Sequence, residues 1–166
     1  LSGEHRRQRG GFLFHTVNRA HNIRIEPGKA LSQLELILNI EDLRQDQNRV
    51  AIDSDDSSRP RTVHRTHSAY AQRTVDALPA LLPDLLRPLP VERFAVTGLR
   101  RTESHIQGTT VMHRNPALGV VDKHGIHHRF RNLVLLGSGN FPTASPANPT
   151  LTISALALFS ARHLAA

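Results

Sequence analysis

Gly137-Ser138-Gly139-Asn140-Phe141-Pro142-Thr143-Ala144-Ser145-Pro146-Ala147-Asn148-Pro149-Thr150 is the stretch whose reading decides the fold. Behind it lies Leu133-Val134-Leu135-Leu136, a continuous apolar run of the kind carried by a strand covered on both faces. Ahead of it, Asn148 suits an N-cap and Pro149 the first helical position. Leu151 to Ala161 then runs apolar, with only Thr152, Ser154 and Ser160 interrupting. Strand, glycine turn, loop and helix start together form a device for holding an anionic or electron-rich ligand at a helix N-terminus. A helix apolar nearly all round must be buried, and no other segment looks able to enclose both it and the strand. We therefore expect packing partners beyond these 166 residues, the more so because the first residue is Leu1 rather than Met.

The remaining sequence reads as an α+β layer. Phe12-Leu13-Phe14 is a short strand candidate. In Leu34-Glu35-Leu36-Ile37-Leu38-Asn39-Ile40-Glu41 every even position is apolar, which predicts a half-buried strand of an antiparallel sheet. Arg49-Val50-Ala51-Ile52-Asp53 alternates too and is the expected hairpin partner, with residues 53–61 as a loop. Ser68 suits the cap of a helix through Ala69, Ala71, Val75, Ala77 and Leu78, which Pro79 and Pro83 are expected to break or kink and Pro88 and Pro90 to end. Leu81, Leu82, Leu85 and Leu86 repeat at helical spacing and read as core. Phe94-Ala95-Val96-Thr97 is a further strand candidate, and Gly108-Thr109-Thr110 a turn. Gly119 to Asp122 reads as a strand entering a tight turn at Lys123-His124-Gly125.

Composition removes several classes of function. There is no cysteine, so thiol catalysis, disulfides and thiolate metal sites are excluded. No charge-free run is long enough to span a bilayer, and no signal peptide is visible. Net charge is +7, almost all from Arg residues scattered between Arg6 and Arg162. That charge invites a nucleic-acid reading, but the scatter of the Arg residues and the lack of an aromatic-interleaved basic stripe or zinc-finger spacing argue against nucleic acid as the partner. A basic binding domain for some other anionic partner stays open as the rival to an enzyme.

Three features carry candidate chemistry. Gly137-Ser138-Gly139 after a strand mimics half of a dinucleotide fingerprint, but Pro142 stands at the third glycine position and no helix follows at once. His105 has the chemistry of a general base near neutral pH, against the commoner role of structural hydrogen-bonder. His113, His124, His127 and His128 lack acidic or thiolate partners at metal-ligand spacing, so we expect no metal. Asn148, if only an N-cap, would still present an amide donor to whatever faces the helix.

Several motifs then fall in a familiar order. His105-Ile106-Gln107-Gly108-Thr109-Thr110-Val111-Met112, Val120-Val121-Asp122, Asn132-Leu133, Phe141-Pro142-Thr143 and Ala147-Asn148-Pro149-Thr150 through Ala157 resemble the C-terminal region of glucose–methanol–choline (GMC) oxidoreductases. The Gly139-Asn140-Phe141-Pro142-Thr143 variant is most similar to pyranose oxidases and related sugar or alcohol dehydrogenases. Glu41 with Asn48-Arg49-Val50 resembles the family's entry to its substrate-domain sheet, and the 43-residue step from His105 to Asn148 suits its catalytic pair.

The resemblance implies an FAD enzyme of two interleaved domains. Residues 1–104 would belong to the substrate-binding region. Residues 105–166 would carry the active-site segment and the strand and helix that complete a Rossmann-like FAD domain, whose glycine fingerprint lies in an N-terminal half outside this chain. His105 would take the alcohol or sugar proton, and Asn148 would hydrogen-bond the substrate oxygen. Gly137, Ser138 and Asn140 would lie near the ribityl–pyrophosphate part of FAD, and Asn148, Pro149 and Thr150 near the flavin pyrimidine edge. Two departures stand out: Val111-Met112-His113 where the family commonly has Arg-Met-Gly, and Arg44 where it has Pro.

Overall fold

The computed structural model describes residues 3–17, 34–100 and 105–165. Two small apolar clusters organise them. The first is built on helix α1 (Ala69–Leu86). Ser68 caps it, its Oγ accepting the Ala71 N–H at 3.1 Å. Tyr70, Thr74, Leu78 and Leu82 recur every fourth residue and are buried, making one stripe that docks the chain's beginning. The Tyr70 hydroxyl donates to the Arg6 carbonyl at 2.8 Å, and the Thr74 hydroxyl to the Gly10 carbonyl at 2.7 Å. Gly10 is a close backbone approach: a Cβ there would lie 2.5 Å from the Glu41 carbonyl oxygen.

Pro79 and Pro83 do not break α1, contrary to expectation. Both lie on its exposed side, four residues apart and off the buried stripe. The helix persists through both prolines because its packed face holds it together.

Strands β1 (Phe12–Val17) and β2 (Glu35–Ile40) form an antiparallel pair over six residues, Phe12 opposite Ile40 through Val17 opposite Glu35. The expected partner of β2 is therefore wrong. Arg49–Ile52 is β4, and it pairs with β5 (Pro60–Val63), so Pro60 and Arg61 belong to a strand rather than the loop. A local turn wins here. The Asp53 N–H donates to the Arg59 carbonyl at 3.0 Å, and Asp56 accepts the Ser58 N–H at 3.0 Å, so a short connection closes at small entropic cost. The even face of β2 is only half-buried, whereas Asn39 on the odd face is 6% exposed. Phe94–Thr97 forms no strand and is exposed throughout.

The second cluster is Val111, Val121 and Ile126, knitted by single bridges rather than strands. Val121 bridges both Met112 and His127, and Ile126 bridges Val134. The run Leu133–Leu136 is thus held by an isolated bridge, with Leu133 and Leu136 exposed, and not by a doubly covered sheet. The tight turn at Lys123–Gly125 is present: the Gly125 N–H donates to the Asp122 carbonyl at 3.0 Å, with Gly125 at φ +74°. Asp122 Oδ1 accepts the His124 and Ile126 N–H groups at 2.9 and 3.1 Å. Burial pushes its carboxyl up, but these donors and Arg131 outweigh that and hold it below the ordinary value.

The two clusters meet where β3 (Asp42–Leu43) pairs with β6 (Thr143–Ala144). Arg44, at the position where the resemblance leads one to expect Pro, adds a bond from its guanidinium to the Leu118 carbonyl at 3.3 Å. Helix α2 (Thr150–Leu164) follows, starting one residue later than expected, with Pro149 rather than Asn148 in the cap position. The described residues do not bury α2: Leu151 is 83% and Leu158 62% exposed. Its contact with the second cluster is a ring stack, His124 lying 4.8 Å from Phe159 and 3.6 Å from His163, centroid to centroid.

Two outcomes follow from this packing. Gly125→Ala places a Cβ 2.5 Å from the Leu135 carbonyl oxygen at a left-handed φ, so it should lower stability by about 1–3 kcal/mol in a chemical-denaturation titration. Burial, then His163 and Lys123, hold His124 below the ordinary imidazole value of 6.5, with Asp122 opposing. The unfolded chain therefore binds more protons there, and the stack is at full strength above that value and weakens as pH falls below it. The thermal midpoint should drop between about pH 8 and about pH 5, and by less in His124→Phe.

Candidate active site

The site begins with a ladder between two stretches far apart in sequence. Ser138–Asn140 is one turn of 3₁₀ helix. Residues 106–112 run beside it in the same direction. The Gly108 N–H donates to the Ser138 carbonyl at 3.3 Å, Thr110 N–H to Gly139 at 2.9 Å, and Met112 N–H to Asn140 at 2.9 Å. The first rung is completed by a side chain, the Ser138 hydroxyl donating to the Ile106 carbonyl at 2.7 Å.

Asn140 is the hub. It is 5% exposed, and both ends of its amide are engaged: Oδ1 accepts the Thr110 hydroxyl at 2.8 Å, and Nδ2 donates to the Leu135 carbonyl at 2.7 Å. Gly139 lets the stretches approach, since a Cβ would sit 2.7 Å from Thr110 Oγ1. Gly137 is different. At φ +119° it tolerates little but glycine, and a Cβ there would meet nothing within 4 Å. The turn therefore presents bare backbone on an open side, where a bulky ligand can approach closely.

His105 precedes the ladder's first rung and is exposed. Asn148 and Thr150 are also exposed, while Pro149 is buried. Asn148 does not cap α2, and among the described residues no side chain does, which leaves the N–H groups of the first helical turn available to a ligand. No hydrogen bond among the described residues joins His105 to Asn148. What the structure brings together is the segment of each: 106–112 against the glycine turn, and 143–144 against β3.

That second attachment rests on residues the sequence reading passed over. Asp42 Oδ2 accepts the His67 Nδ1–H at 2.9 Å, and Oδ1 accepts the Leu43 and Ser68 N–H groups at 2.8 and 3.1 Å. Burial pushes the Asp42 carboxyl up, yet Ser68, His67 and the Leu43 N–H together hold it below the ordinary value. An Asp ahead of a turn gives no period-two or helical signal, so nothing local marked it. Thr110, read only as a turn residue, proves to be the donor to the hub.

Of the four histidines between 113 and 128, His127 and His128 are engaged separately. His127 Nδ1 accepts the Arg129 and Phe130 N–H groups at 3.1 and 3.0 Å, and the His128 Nε2–H donates to the His113 carbonyl at 2.9 Å. Among the described residues no three His, Asp or Glu side chains converge for a metal, and no helix is long and apolar enough to cross a membrane.

In this mixed α+β chain a glycine turn is laced to the histidine-bearing segment, and an uncapped helix start follows the turn in sequence. The GMC oxidoreductase profile matches residues 38–157, and the chain belongs to that family, which depends on FAD. Two curated relatives are longer proteins. The chain is 37% identical over 73 residues to a 6'''-hydroxyparomomycin C oxidase of Streptomyces lividus, covering 44% of this chain and 13% of the relative. It is 35% identical over 82 residues to a paromamine 6'-oxidase of Streptomyces fradiae, covering 45% and 15%.

The hub yields a direct test. Asn140→Ala strips the partners from both the Thr110 hydroxyl and the Leu135 carbonyl, so it should cost about 2 kcal/mol or more of stability by denaturant unfolding. An unchanged midpoint would show that the ladder holds without it.

Proposed function

We propose that this chain supplies the active-site segment and part of the substrate-binding surface of an FAD-dependent oxidoreductase that oxidises a CH–OH group of a sugar or amino sugar. The observation that carries the reading is the ladder, which fixes the residues following His105 against the open glycine turn. The relatives' names, both aminoglycoside oxidases, favour a hydroxyl-rich amino-sugar substrate over a simple alcohol. The pyranose-oxidase-like form of Gly139-Asn140-Phe141-Pro142-Thr143 is consistent with this.

The residues fit a flavin cofactor. Gly137 leaves an open backbone face, and the Ser138 and Asn140 side chains, spent on the protein, make that face rigid. The backbone at Gly137 would face the ribityl–pyrophosphate portion, with Ser138 and Asn140 beside it holding the turn in shape. Asn148, Pro149 and Thr150 would approach the pyrimidine edge, where free helix N–H groups favour negative charge. When bound, FAD supplies the acceptor for the hydride leaving the substrate carbon. His105 takes the hydroxyl proton as general base. Asn148 donates a hydrogen bond to the substrate oxygen. We infer that residues 1–104 serve mainly the substrate side and 105–166 the cofactor side. The cover for the exposed face of α2 comes, in this reading, from the polypeptide that carries the dinucleotide fingerprint.

The flavin-loaded protein should be yellow and bleach anaerobically when a sugar or amino sugar is added. A colourless protein that binds polyanions in a salt-dependent way would sink the reading. His105→Ala should keep its FAD and lose flavin reduction by about 100-fold or more. Reduction at the normal rate would remove His105 from the role of base.

A further inference from the structure

The ladder leaves one polar group unexplained. Gln107 lies between the two residues that bond Ser138, Ile106 through its carbonyl and Gly108 through its N–H. Its side chain is half-buried, and its Oε1 is closed off from solvent with no hydrogen-bond partner among the described residues. A buried carbonyl oxygen without a donor is a standing cost to the fold, and a leucine or methionine of similar volume would avoid it. The amide is not tied down by any bond to that oxygen, and its terminal torsion is soft. Its backbone is the opposite case, clamped on both sides to the glycine turn. Gln107 thus combines a fixed backbone with an unused acceptor that a turn of the half-buried amide would bring outward, two residues from His105.

We infer that Gln107 is a substrate-binding residue that sets specificity: its Oε1 accepts a hydrogen bond from a second hydroxyl or an ammonium group of the substrate, away from the carbon being oxidised. This rests on the functional reading above and deepens it. A side-chain carbonyl is an acceptor only, so the ligand group must be a donor, which hydroxyl-rich amino sugars carry in abundance and a simple alcohol carries once. A substrate lacking that second donor leaves the oxygen as unpaired as it is now and gains nothing from it. Gln107 therefore discriminates by number of donors rather than by size.

The test uses the flavin-loaded protein, with glucosamine, glucose and benzyl alcohol as anaerobic reductants, and compares wild type with Gln107→Leu and Gln107→Glu. For wild type, bleaching by glucosamine or glucose in preference to benzyl alcohol is expected. In Gln107→Leu, KM for the sugars should rise about 10–100-fold with kcat changed far less, KM for benzyl alcohol should stay the same, and the thermal midpoint should be equal or higher. Gln107→Glu keeps an acceptor and should retain the preference for glucosamine, which also serves if the leucine variant does not fold. Unchanged selectivity in Gln107→Leu, a lower midpoint with unchanged KM, or loss of bound flavin would each overturn the assignment, the last by giving the oxygen to the cofactor. Wild-type bleaching by benzyl alcohol alone would overturn it as well. If wild type bleaches with none of the three, the oxidoreductase reading itself has failed, which is a different result.

Discussion

The second half of this chain depends on one constraint: a glycine turn and a histidine-bearing segment must lie close enough for backbone to bond backbone. Neither stretch has regular strand structure of its own to satisfy its N–H and C=O groups. Each therefore uses the other, through Gly108, Thr110 and Met112 on one side and Ser138, Gly139 and Asn140 on the other. Buried backbone polar groups must find partners somewhere. Here that requirement does the work a sheet does elsewhere, and it places the candidate site where the pairing is made. Asn140 supplies the reach that irregular backbone lacks, bonding a hydroxyl on one flank and a carbonyl on the other.

The first half is attached by electrostatics and geometry together. β3 is only two residues long, too short to hold β6 by pairing alone. Asp42 makes up the difference by gathering the His67 ring and two N–H groups around one carboxylate, one of those N–H groups belonging to the residue that caps α1. The helix start, the short strand and the segment leading to Asn148 are thus set by a single charged group. Its depressed pKa is the thermodynamic sign of that arrangement: the carboxylate form is favoured by the fold, so its contribution is present above the ordinary 3.8 and is lost as pH falls through its lowered value.

Much of this was legible in the residues. Ser68 as a cap, the strand within Leu34–Glu41 and the turn at Gly125 are local signals, and local signals read well. The failures share a cause. Pairing β2 with Arg49–Asp53 assumed that the two clearest alternating runs must be partners, when the partner was the less patterned Phe12–Val17. Pro79 and Pro83 looked like breakers because sequence does not say which side of a helix faces water. Leu133–Leu136 looked doubly covered because apolar composition records what a segment prefers, and the described residues do not provide that cover. The motifs were legible, but not the ladder: hydrogen bonds between irregular stretches have no period, so the bonds made by Thr110 and Asp42 carried no signal until the backbone was in place.

The rung made by Ser138 differs in kind from its neighbours. The other rungs use main-chain N–H groups, which every residue but proline provides, whereas this one uses a hydroxyl that only a serine or threonine can offer at that place. A change at one codon can therefore cut it without touching the rest of the ladder. The end it would release is the one nearest His105. The spacing between His105 and the glycine turn is thus a dimension that inheritance can adjust in a single step.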